Sequence, residues 1–144
     1  MSDKDTIIKE MDALITSYHE ESLPLLRLIE TRGHIATLLW RLSGYVKQTY
    51  GGAELSYAKR KWAIASHVVA ARNIDAKAPM GFLEHSALKT PEVMKAQEEE
   101  IWAAGEREEL KERIRTCNAV LQAMSQAIAE ERQEKNTQNY TPQA

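Results

Sequence analysis

Between Leu110 and Ile128 the large apolar residues keep a strict spacing. Leu110, Ile114, Cys117, Leu121, Met124 and Ile128 lie 4, 3, 4, 3 and 4 residues apart. At 3.6 residues per turn, a helix gathers such positions onto one face. A second seam runs through Leu25, Leu28, Arg32, Ile35, Leu39, Leu42 and Val46, with Arg32 its one charged member. Only six glycines and four prolines interrupt the 144 residues, so the chain has few places to turn and must be built from a few long elements. No segment alternates apolar and polar residues over the length of a strand. The expected fold is all-α. A long stripe cannot be hidden by a short partner, so a long antiparallel helical hairpin or coiled-coil bundle that self-associates is expected.

Local signals place the boundaries. Ile7, Met11, Leu14 and Tyr18 share a face and predict a first helix over about 4–20. Ser22 can cap a second helix that carries Pro24 in its first turn and runs to about Tyr50, where Gly51-Gly52 should end it. A third helix is expected from Ala53 to Asn73, with one stripe through Ala58, Trp62, Ala65 and Val69 and a neighbouring one through Tyr57, Ile64, Val68 and Ala71. The first stripe makes Trp62 a core residue. Residues 74–90, with Pro79 and Gly81, lose the period and read as a loop with at most one helical turn. Thr90 as cap, Pro91 at the first helical position and Glu92 in the first turn open the last helix, which should end near 134. Residues 1–135 read as one helical domain, and 136–144 as a disordered polar tail.

Charge divides the chain in three. The formal net charge is −2. Residues 1–22 carry six Asp/Glu against two Lys, and residues 90–144 carry eleven Asp/Glu against seven Lys/Arg. Residues 23–89 reverse the sign, with ten Lys/Arg and four Asp/Glu. Within that basic middle, Lys59, Arg60 and Lys61 stand between Tyr57 and Trp62, and Lys47, Tyr50, Arg72 and Lys77 lie nearby. Cations neutralise phosphates, and aromatic faces stack on unpaired bases at about 1–3 kcal/mol each. The candidate nucleic-acid-binding residues are therefore Lys59, Arg60, Lys61, Tyr57, Lys47, Tyr50 and Arg72, with the Gly51-Gly52 turn admitting a phosphate close to the backbone. The competing reading makes the three cations a solvated helix flank. The acidic run from Glu98 to Glu112 is a solvated flank or an electrostatic partner for a basic surface.

Other chemistries find no support. The residues three before His19, His34, His67 and His85 are Thr16, Thr31, Ile64 and Phe82, so the Glu-x-x-His pattern of helical di-iron bundles is missing. Cys117, the single cysteine, falls on an apolar seam and forms no intramolecular disulfide, which suits a reducing compartment. No phosphate-cradling glycine loop or nucleophile elbow occurs. The expectation is a non-enzyme without cofactor or metal. The acidic start, Met1-Ser2-Asp3-Lys4-Asp5, is unlike a signal peptide. No apolar run approaches the roughly 20 residues that span a bilayer, so a cytoplasmic protein without a membrane partner is expected.

The order of elements resembles a family. A heptad helix leads to a basic, aromatic helix, then a variable loop, then Thr90-Pro91-Glu92-Val93 opening a long acidic helix. This layout, over residues 15–135, is similar to that of the phage recombination mediators typified by UvsY. The resemblance implies a small helical homo-oligomer, a ring, acting in the host-cell cytoplasm. It implies binding of single-stranded DNA and loading of a RecA-like recombinase onto DNA covered by single-strand-binding protein. It maps DNA contacts onto Lys59, Arg60 and Lys61, with Tyr57 beside them. The alternative expectation is a coiled-coil protein-binding module: an adaptor, an assembly factor or an inhibitor of a host protein.

Overall fold

The computed structural model describes residues 2–139. Among them are five helices and no strand: α1 (Asp3–Glu20), α2 (Leu25–Ser43), α3 (Val46–Ile74), α4 (Met80–Ala87) and α5 (Pro91–Asn139). The fold is all-α. The chain sorts into two compact units, one holding the residues up to Tyr45 and those from Lys111 on, the other Val46–Leu110. α5 contributes to both.

The first unit packs α1 on α2 and joins both to the later part of α5. Ser2 caps α1, its hydroxyl accepting the Asp5 backbone N–H at 3.2 Å and donating to the Asp5 carboxylate at 2.7 Å. The core takes Ile7 and Met11 from α1, Leu28, Ile35, Leu38 and Leu42 from α2, and Cys117, Val120, Met124 and Ile128 from α5. Burying each large side chain contributes about 1.5–3 kcal/mol. Leu38 and Val120 take the central places expected of Leu39 and Leu121, which are half-buried beside them. Leu25, Val46 and Ile114 are half-buried too. Polar links tie α5 in as well: Arg32 Nε donates to Ser125 Oγ at 2.6 Å, and Arg113 Nη1 donates to both Asp12 carboxylate oxygens at 3.0 Å.

α2 does not begin or end where the sequence suggested. Pro24 occupies the N-cap position with extended backbone and Ser22 caps nothing. The helix stops at Gly44, whose N–H bonds to the Arg41 carbonyl at 3.2 Å, while the Tyr45 N–H bonds to that of Leu42 at 3.0 Å. These tighter i→i−3 bonds close the last turn. Gly51 and Gly52 lie inside α3 and make no turn.

In the second unit α3 packs on α4, and Ala53, Ala78, Leu83, Ala87, Val93 and Leu110 are buried. Residues 80–87, expected as loop, form α4 behind Pro79, whose carbonyl accepts the N–H groups of Phe82 and Leu83, both at 3.1 Å. Thr90 does not cap α5 with its side chain; its hydroxyl donates back to the Ala87 carbonyl at 2.7 Å. Pro91 still opens α5, at the position where a missing N–H costs nothing. α5 continues past 134 to Asn139; the remainder of the expected tail, 140–144, lies outside the described residues.

Candidate nucleic-acid interface on α3

α3 is the most cationic helix: five Lys/Arg and one acid, Glu54. Its inner face carries Ala53, Ser56, Arg60, Ile64 and His67, buried or half-buried. The run Lys59-Arg60-Lys61 is therefore split three ways. Successive residues differ by about 100° around a helix, so the three cations point in different directions. Arg60 turns inward and is paired through Nε with Glu100 of α5. Lys59 and Lys61 leave on opposite flanks, both exposed.

Lys61 belongs to a different set. Lys47, Tyr50, Glu54, Tyr57 and Lys61 are spaced 3, 4, 3 and 4 residues apart, which places them on one side of α3 over about 21 Å. Lys47, Tyr57 and Lys61 are exposed and Tyr50 is half-buried. The Lys61 ammonium sits 4.8 Å from the Tyr57 ring centroid and the Arg60 guanidinium 5.4 Å from it. Such contacts are worth about 0.5–1 kcal/mol at an exposed site and set two cations against the ring. The face offers a cation at each end and two phenol rings between them, with one carboxylate, Glu54, at its centre; cations for phosphates and rings for bases are the groups that hold a single strand.

Arg72 does not join them: its Nη2 donates to the Ala78 carbonyl at 3.3 Å and closes the α3–α4 connection. The stripe that made Trp62 a core residue faces outward instead. Trp62 is 73% exposed, Leu55 56% and Val69 61%, with exposed Ala58 and Ala65 between them. Spacing identifies a face but not what covers it, and α4 and α5 pack elsewhere on α3. Beside this stripe an apolar groove of about 650 Å³ runs between α3 and α4, floored by Ile64 and Val68 and rimmed by Lys61, Met80, Glu84 and Leu88. On α5, Met94, Ile101 and Trp102 are exposed as well. The acidic run thus serves the basic helix within one chain through Glu100, while Glu112 pairs with Arg115 at 2.8 Å.

Cys117 is buried, and desolvation pushes its thiol above the ordinary value of 9.0. Among the described residues no group of three or more His, Cys, Asp and Glu could hold a metal ion, and no helix is long and apolar enough to cross a membrane. Compared with protein-family models, curated proteins and solved structures, the chain gives no significant match.

Proposed function

We propose that this protein binds single-stranded DNA through the Lys47–Lys61 face of α3 and acts as a recombination mediator, helping a RecA-like recombinase displace single-strand-binding protein. The observation that carries this reading is the alignment of Lys47, Tyr50, Tyr57 and Lys61 on one side of a helix with a single acid. The recombinase step and a homo-oligomeric assembly of coiled-coil hairpins rest on the resemblance of the sequence layout to UvsY-type mediators. A chain of net charge −2 can bind a polyanion when its exposed cations share a surface. Several copies on one strand multiply a modest site into useful avidity. The reading requires no catalysis and no cofactor.

The test is fluorescence anisotropy with a labelled oligothymidylate at low salt. The wild-type chain is expected to bind and to prefer the single strand over a duplex of the same length. Tyr57→Ala is expected to lower affinity by about 1 kcal/mol or more, as loss of a stacking platform does. No binding at low salt contradicts the reading.

The exposed apolar residues Leu55, Trp62, Met94, Ile101 and Trp102 favour a second reading, a protein-binding helical module that never touches DNA. It predicts a defined protein complex and a flat oligonucleotide titration.

A further inference from the structure

Two features of α3 meet nothing within one chain. Gly51 and Gly52 sit in the helix, each about 1 kcal/mol less favourable there than alanine, and a Cβ at either would meet nothing within 4 Å. Eleven residues on, the Trp62 indole lies in solvent on the same side as Gly51. An open notch and an uncovered ring thus share one stripe: Gly51, Leu55, Ala58 and Trp62, spaced 4, 3 and 4.

We propose that α3 pairs with α3 of a second copy, antiparallel, with Trp62 of each seated over Gly51 of the other. The register follows from size. Running the stripe backwards against itself places Trp62 on Gly51 and Leu55 on Ala58, large on small at each of these layers, twice by symmetry. The same register settles the flanks. Glu54 and Lys61 border the stripe on one side, and antiparallel pairing brings Glu54 of each copy opposite Lys61 of the other. Lys59, on the far side, faces Gly52 and meets no like charge. A parallel pairing would instead stack Trp62 on Trp62 and leave thin layers at Ala58. Shape and charge select the same antiparallel register, which makes a second copy the occupant rather than a foreign helix.

Pairing has a consequence that rests on the nucleic-acid reading. Antiparallel pairing joins Lys61 of each copy to Glu54 of the other, and the nucleic-acid reading asks the same ammonium to meet a phosphate. Pairing and strand binding therefore compete for Lys61, and Lys47 is the cation of this face that pairing leaves open.

Light-scattering mass measurement on the full chain, over a concentration series, tests the pairing without DNA. The wild type is expected to associate. Gly51→Leu fills the notch while improving helix propensity, so its expected loss of association, at least about tenfold in dissociation constant, cannot come from helix unfolding. Glu54→Lys and Lys61→Glu are each expected to weaken association, and the double exchange to restore it. A monomeric wild type overturns the proposal, as does association unchanged by Gly51→Leu, or failure of the double exchange to recover what each single change lost. Oligonucleotide binding by a persistently monomeric chain would separate this failure from that of the nucleic-acid reading.

Discussion

At Cys117 the structure makes a prediction that concerns a single atom. The thiol is buried among apolar neighbours, and its raised pKa has desolvation as its cause. The native chain is expected to resist a thiol-specific reagent that labels the denatured chain at once; rapid labelling of folded protein contradicts the packing. The sign of the pH effect follows. Below 9.0 the thiol is neutral in both states, so its burial contributes in full. As the pH rises through 9.0 the unfolded thiol ionises first, and stability falls. Cys117→Ala is expected to remove that part of the alkaline decline, read from denaturant midpoints between pH 8 and 10. The seam that holds Cys117 was legible from spacing alone. Trp62 was not: its stripe is as regular as that of α5, yet Met124 is 0% exposed and Trp62 73%. Periodicity reports a face, and only the placement of other helices reports its cover.

Among the elements, the break between α2 and α3 shows where sequence signals compete. Gly51-Gly52 looked like a terminator, yet two glycines cost only about 2 kcal/mol against alanine in a helix whose flanks both continue. The break falls at Gly44 and Tyr45 instead. Gly52→Ala is therefore expected to stabilise the second unit by roughly 0.5–1 kcal/mol, seen as a rise in the thermal midpoint. A fall would show that residue 52 needs its glycine. α4 was hidden for another reason. Its buried positions, Leu83 and Ala87, are a single i,i+4 pair, too few to establish a period, and Pro79 reads as a breaker although it starts the helix. The start of α5 was readable because Pro91 and Glu92 act locally. The charge run does not show its own geometry, because adjacent cations on a helix diverge: Arg60 pairs with Glu100, while Lys61 lies over Tyr57.

For the molecule as a whole, the two units differ in what holds them. The core of the first contains Ile35, Leu38, Leu42 and Met124, each at most 1% exposed, whereas three of the six buried residues of the second are alanines. Hydrogen exchange is expected to be faster across Val46–Leu110 than across α2 and the later part of α5; equal protection contradicts this. The unit with the thinner core carries both the cationic face and the uncovered stripe, which fits a surface completed by binding. Ile35→Ala, by contrast, is expected to cost about 2–5 kcal/mol in the first unit. The most direct test of the central claim is the salt dependence of single-strand binding, wild type against the Lys47→Ala, Lys61→Ala double variant. Each phosphate contact contributes about 0.7 to the slope of log affinity against log salt, so losing two is expected to flatten it by about 1.4 per chain. An unchanged slope and affinity in the double variant would mean that the strand, if bound, is held elsewhere than on α3.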